Sequence, residues 1–285
     1  VQGFRIPNKL FHAAQTAFKW PTLDRLLGGL DVFFAPNWQF MSFSPRVRLV
    51  TVVHDVSFLH DPHFFSLKGR AWHALVQPEW MMRRSDAIVT VSEHTRADVG
   101  ERLSIEAGKC HVVYPGVDEH FVPTQNVHVE RKYGLRAPYF ISLATVEPRK
   151  NIAAVMRAFA AVESQLPTAY ELLIVGKLGF RANELRRQHP SSRMRFLGYV
   201  DRDDLPTLLS RAQALVYPSF YEGFGFPPLE ALRCGTRVIT SHVTSLPEVL
   251  GEHAIYVNPY DTRTLEQALL KVATTDDDPA QKEKR

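Results

Sequence analysis

Short apolar runs recur along the chain, separated by stretches with helical spacing. The clearest run, RLVTVV at 48–53, is β-branched and apolar on both faces, as expected of a strand covered from both sides. DVFFA at 31–35, AIVTV at 87–91 and KCHVVY at 109–114 read the same way. Between them, helices are predicted over 9–20, 22–28 and 66–84, with Pro21 ending the first and Pro78 kinking or breaking the last. Ser92 reads as the cap of a further helix rather than a nucleophile. The second half repeats the alternation. Strands are predicted at 139–144, 171–175, 194–197, 215–217, 237–240 and 254–257, and helices at 151–165, 183–189, 203–212, 246–250 and 262–273. Such alternation implies an α/β fold with parallel sheets. Residues 123–137 show little apolar periodicity and are expected to be a linker between domains at 1–122 and 138–275. Residues 276–285 are charged and expected to fray.

Ligands of open α/β sheets bind beyond the carboxyl ends of the strands. His54, Ser92, Gly116, Thr145, Gly176, Gly198 and Glu222 all follow predicted strands, so the polar residues gather where a cleft would lie. The richest stretch is LVYPSFYEGFGFPPLEALRCG at 215–235, a strand, a Gly-rich turn and a helix. Gly223 and Gly225 flank Phe224 and permit positive φ and close approach of a ligand to the backbone. Phe226 precedes a proline and is biased away from helix, whereas Pro227 suits a first helical position. A helix start favours phosphate through free N–H groups and its dipole. Glu222 and Glu230, framing the turn, suit hydroxyls instead, so the ligand predicted is a nucleotide-sugar. Arg149 and Lys150, at the turn after strand 139–144, offer a guanidinium fork and a point charge for a diphosphate. Tyr221, Phe224 and Phe226 fit sugar packing and loop anchoring equally well. Trp72–Trp80 with Arg83 and Arg84 fit a packed helix better than contact with a lipid-linked acceptor.

Composition narrows the classes. The 285 residues, 45% hydrophobic and 22% charged, suffice for two globular domains. No apolar run reaches the eighteen or so residues of a membrane span. A net charge of +4 fits nucleotide diphosphates or an anionic membrane surface; without a basic block interleaved with aromatics, nucleic acid is not expected. Cys110 and Cys234 lie far apart and fit no metal spacing, so a reducing cytoplasm is the default, with a peripheral place at the inner membrane face as a variant. Asp201, Asp203 and Asp204 read as helix-start charges, and no metal and no cofactor are expected. The chain begins at Val1 without Met or a signal pattern, as expected of a piece of a longer protein.

Four motifs occur in order: TVVHD at 51–55, VVYPGVD at 112–118, VEPRKN at 146–151, and YEGFGFPPLEAL at 221–232 with its Glu222/Glu230 pair. Together they resemble retaining GT-B glycosyltransferases of family 4, and VEPRKN resembles the bacterial mannosyltransferase-like branch that builds O-antigens and exopolysaccharides. The resemblance implies two Rossmann-like domains facing a cleft, with the N-terminal domain incomplete. It implies that Glu222 accepts hydrogen bonds from the donor sugar, that Gly223, Phe224, Gly225 and Phe226 line sugar and phosphate, and that Glu230 binds ribose. Lys150 and Arg149 would neutralise the diphosphate, His54 would sit near the reacting carbon and acceptor, and Gly198 and Val200 would line the base. One position departs: the wider family has Arg five residues before the Lys, where Thr145 stands here. The implied partners are a nucleotide-sugar donor (GDP-mannose favoured, a UDP-sugar the variant) and a glycan or polyprenyl-linked acceptor, with metal-independent, retaining transfer. A GT-B sugar-nucleotide epimerase or phosphorylase, and a non-catalytic nucleotide-sugar-binding subunit, remain open as alternatives.

Overall fold

The computed structural model describes residues 7–136, 138–167, 169–177, 182–188 and 191–275, in two compact units, Val1–Pro115 and Gly116–Arg285. The first unit holds a parallel sheet ordered β1 (Val32–Ala35), β2 (Arg48–Val53), β3 (Ala87–Thr90) and β4 (Cys110–Val112). Leu49 and Val53 of β2 are fully buried, and Val53 packs with Val56, Met82, Ile88, Val99 and Leu103. After β3 the chain turns at once into helix Glu93–Leu103, because Ser92 Oγ accepts the Thr95 N–H at 3.1 Å and satisfies a free donor of the first turn. Pro78 breaks the expected long helix into Leu67–Val76 and Pro78–Arg84, with Gln77 between them at φ 55.

The second unit holds a six-stranded parallel sheet ordered β10-β9-β8-β5-β6-β7, from β5 (Tyr139–Leu143), β6 (Glu171–Val175), β7 (Met194–Gly198), β8 (Ala214–Tyr217), β9 (Arg237–Ser241) and β10 (Ile255–Val257). Strands β5 to β7 build outward in one direction and β8 to β10 in the other. The order therefore reverses between β5 and β8, the topological switch point at which open α/β sheets take ligands. Side chains pointing to the two faces of this sheet enter separate cores. Phe140, Ile174, Val216 and Ile239 pack against helices Ile152–Val162 and Thr262–Thr274, while Ile141, Leu173, Leu215 and Val238 pack against Leu205–Arg211 and Phe226–Arg233.

Two expectations are corrected. The stretch expected as a linker between domains lies within the second unit and contains helix Val127–Tyr133, capped by Asn126 Oδ1, which accepts the His128 and Val129 N–H groups. Val129 is buried, Phe121 enters the second unit's core, and Thr124 N–H donates to Ser210 Oγ at 2.9 Å, so the segment belongs to the second unit. Three apolar positions in a seven-residue helix are too few to show as periodicity. Phe226, expected outside the helix, is its first residue; Gly225 at φ 103 turns the chain so that the restriction imposed by Pro227 falls at the helix entry. His189 and residues 276–285 lie outside the described residues. Among the described residues no helix is long and apolar enough to cross a membrane.

Candidate functional site

The polar cluster at the switch point of the second unit forms from two strand exits. Past β5, a single 3-10 turn at Pro148–Lys150 carries Arg149 and Lys150, and Asn151 follows at φ 55. Past β8, Pro218 and Ser219 lead to Tyr221 and Glu222. The two loops are tied to each other. Phe220 N–H donates to the Arg149 carbonyl at 2.9 Å. Asn151 Nδ2 donates to the carbonyls of Pro218 at 3.2 Å and Pro259 at 2.9 Å, joining the exits of β5, β8 and β10.

These ties bring Glu222, Lys150 and Arg149 into direct contact. Lys150 Nζ lies 2.6 Å from Glu222 Oε1, and an Arg149 Nη lies 3.1 Å from Oε2. Arg149 also donates to the Tyr221 carbonyl at 2.9 Å and to Glu147 at 3.3 Å. Side-chain exposure is 8% for Glu222, 12% for Lys150 and 15% for Arg149, so these charges meet largely out of water. Burial alone would push the Glu222 carboxyl up. The Lys150 and Arg149 charges overcome burial and hold it at about 2. Burial also draws the Lys150 ammonium below its ordinary value, against the pull of Glu222. At neutral pH the carboxylate is ionised and clamped by both cations.

The backbone around Glu222 is equally held. Its N–H donates to Thr244 Oγ1 at 3.1 Å, and Ser245 Oγ donates to the Glu222 and Phe224 carbonyls at 3.0 and 3.1 Å. Of the two turn glycines, Gly225 carries the positive φ, and a Cβ there would fall 2.7 Å from Leu246 Cδ2. Tyr221 and Phe224 are buried and anchor the loop, whereas Phe226 is 40% exposed beside Phe224, ring centroids 5.1 Å apart. Behind the cluster, a Cβ on Gly176 would fall on the Ala144 carbonyl oxygen; the bare glycine at φ 133 lets the exits of β5 and β6 close together.

The other predicted residues of this unit spread along the same carboxyl edge. Glu230 is half-buried in helix Phe226–Arg233, and burial pushes its carboxyl up despite Arg202. Among the described residues, no side chain or backbone group hydrogen-bonds or ion-pairs with that carboxylate. Gly198 ends β7 at φ 70 and accepts from Gly176 N–H at 2.8 Å. The Val200 side chain is buried in the core, so only its backbone can line a site, while the intervening Tyr199 is 72% exposed. Asp201 and Asp204 each take Lys132 Nζ at 2.7 Å. Among the described residues no group of three His, Cys, Asp or Glu is placed to hold a metal ion.

His54 stands in the first unit, directly past β2, with Nε2 2.9 Å from the Pro36 carbonyl. Arg83, though exposed, and the half-buried Arg84 are tied to the unit, donating to the carbonyls of Leu103 at 2.6 Å and Val47 at 2.9 Å. Trp72 and Trp80 are partly exposed, and Lys19 Nζ sits 4.7 Å from the Trp80 ring centre. Three participants escape sequence inspection: Tyr217, Thr244 and Ser245. Tyr217 reads as a β-favouring strand residue, yet its hydroxyl receives Lys150. The Thr-Ser-Leu-Pro run reads as a helix start, which accounts for the hydroxyls at 244 and 245 but not for their turning to Glu222.

Comparisons with known proteins cover both units. The family described as "Glycosyl transferases group 1" matches residues 137–275, and "Glycosyltransferase Family 4" matches residues 3–121. "O-antigen chain mannosyltransferase B" of Escherichia coli is 32% identical over 232 residues, which are 79% of this chain and 61% of that protein. "Serotype-specific mannosyltransferase WbdA" of Escherichia coli is 32% identical over 238 residues, 79% of this chain and 28% of that protein. The chain thus spans about three-fifths of the first and under a third of the second. Among solved structures, a sucrose-phosphate synthase from Thermosynechococcus elongatus superposes with a TM-score of 0.72 at 21% identity, over 97% of this chain and 72% of the other. Anabaena Alr3699/HepE, solved with UDP and glucose, gives a TM-score of 0.68 at 18% identity, over 91% and 72%. At these identities the likeness is one of fold.

Proposed function

The chain belongs to the group 1, family 4 glycosyltransferases, and from that premise we propose that it transfers a hexose, mannose favoured, from a nucleoside-diphosphate sugar to a glycan or lipid-linked acceptor, with retention. The observation that carries the proposal is the Glu222 carboxylate, buried and ionised between Lys150 and Arg149 at the switch point of the second unit. Glycosyl transfer releases a diphosphate while positive charge builds on the sugar ring. Lys150 and Arg149 suit the first charge and Glu222 the second, in surroundings where fixed charges act strongly. The ligand-free arrangement pairs the cations with Glu222. A donor's phosphates take over those contacts and leave the carboxylate to accept from sugar hydroxyls.

The remaining roles follow the same edge. Backbone from Gly223 to Phe226 lines sugar and phosphate, Glu230 accepts from the ribose hydroxyls, and Gly198 with the Val200 backbone borders the base. His54 is the acceptor-side candidate of the first unit. Mannose is supported by the mannosyltransferase names of relatives; GDP-mannose is the favoured donor and a UDP-sugar the variant, since one structural neighbour was solved with UDP. Transfer needs neither metal nor cofactor in this reading. Asp201 and Asp204, the acidic pair nearest the expected base, are committed to Lys132. The cytoplasmic face of the membrane, where a polyprenyl-linked acceptor would be met, fits the partly exposed Trp20, Trp72 and Trp80 of the first unit.

The test is direct. Full-length protein is incubated with GDP-mannose and with UDP-sugars plus a lipid-linked acceptor, and nucleotide release and product are measured. Transfer is expected with one donor, and Glu222→Gln should lower it by roughly a hundredfold or more, the scale of losing a transition-state charge partner. Tight nucleotide binding without transfer would sink the enzyme reading and leave a binding subunit.

A further inference from the structure

We propose that Tyr217 is a positioning residue for the donor: its hydroxyl holds Lys150 in place for the diphosphate, a role that rests on the nucleotide-sugar reading above. Lys150 Nζ donates to Tyr217 OH at 2.7 Å while also donating to Glu222 Oε1 at 2.6 Å, and it lies 5.1 Å from the Tyr217 ring centre. An ammonium has three donors. Two are used, and among the described residues the third has no partner. Among the described residues the lysine is thus held at two points, and its third N–H is the one the proposal offers to a ligand.

The two holds differ in kind. Glu222 opposes the lysine charge; Tyr217 does not. Burial and the facing Glu222 raise the phenol well above its ordinary range, so it stays neutral. A neutral hydroxyl fixes an ammonium without cancelling its charge. A second carboxylate at that point would neutralise the cation that the diphosphate needs. When the donor's phosphates draw Lys150 away from Glu222, the Tyr217 hold persists.

Tyr217 is also rigidly mounted. It is the last residue of β8, 2% exposed, paired with Thr240 of β9, and its carbonyl accepts from Thr240 Oγ1 at 2.9 Å. Position along the strand therefore sets the hydroxyl, and the hydroxyl sets the end of a long, otherwise flexible lysine side chain.

The test uses full-length protein and Tyr217→Phe, which keeps the ring and removes the hydroxyl. Donor kcat/KM is expected to fall roughly tenfold or more, as for loss of one hydrogen bond to a charged group, while acceptor KM stays unchanged. The alkaline limb of the donor kcat/KM profile should move to lower pH, because an ammonium that loses an acceptor gives up its proton more readily. The affinity for GDP and UDP, measured by titration calorimetry, should weaken in parallel. In a Lys150→Ala background the same substitution should do nothing further. Unchanged donor kcat/KM and alkaline limb, or penalties that simply add in the double variant, would overturn the proposal. If the wild-type protein transfers no sugar but binds GDP or UDP, the enzyme reading fails and calorimetry on Tyr217→Phe still decides this one. If it binds neither nucleotide, both fall.

Discussion

In the unfolded chain the Glu222 carboxyl titrates near 4.5; in the fold, burial raises it and the Lys150 and Arg149 charges outweigh burial and hold it at about 2. A carboxyl depressed on folding stabilises the protein above its unfolded value, and that contribution is lost as pH falls toward the folded value. Glu222 therefore contributes stability at pH 7 that fades between pH 4.5 and about 2. Glu222→Gln removes this dependence and leaves two buried cations with less counter-charge. Its stability in urea should be about 3–5 kcal/mol lower at neutral pH, the cost of breaking a buried pair, and should approach that of the wild type on acidification. Two curves that stay parallel down to pH 2 would show that Glu222 is not the titrating group. That Glu222, Arg149 and Lys150 lie at strand exits was legible in the sequence because each follows an apolar strand run within a few residues. Their mutual pairing was not. Sequence patterning assigns the carboxylate to sugar and the cations to phosphate, and a one-dimensional pattern cannot show that the exits of β5 and β8, nearly seventy residues apart, are neighbours in the sheet.

At the scale of elements, the site depends on how closely strand exits approach. Gly176 shows this most sharply: at φ 133, with the Ala144 carbonyl where a Cβ would be, it permits the β6 exit to lie against the loop that carries Arg149 and Lys150. Gly176→Ala must either push that loop away or strain the backbone, at a cost of about 2 kcal/mol or more. A lower thermal midpoint and weaker nucleotide binding are expected together. An unchanged midpoint would mean that the two exits can separate freely. The alternation of strands and helices was legible almost throughout, since buried parallel strands read as continuous apolar runs. Helix Val127–Tyr133 was hidden by shortness and by the Pro, Gln and Asn residues preceding it. The start of helix Ile152–Val162 shifted because Asn151 leaves the helical region to join the exits of three strands, a task that no local preference announces.

At the scale of the whole molecule, each unit has its own sheet and its own buried clusters, and the sequence foretold two α/β units without showing that residues 116–137 join the second. The chain as a whole carries a net charge of +4. The cluster at the switch point does not share that excess: Lys150 and Arg149 are matched by Glu222 and Glu147. An electroneutral pocket exerts little standing attraction on an anion, so the diphosphate alone is a poor reason for a nucleotide to stay. If the chain binds a nucleotide-sugar as proposed, sugar and ribose contacts must retain the donor, and once the sugar has left, Glu222 is free to reclaim both cations. On the proposed function, the site thus holds a built-in competitor that helps expel the nucleoside diphosphate. Product inhibition by the nucleoside diphosphate is expected to be weak, with an inhibition constant above the donor KM and little dependence on salt. An inhibition constant far below that KM would place a further cation in the path of turnover.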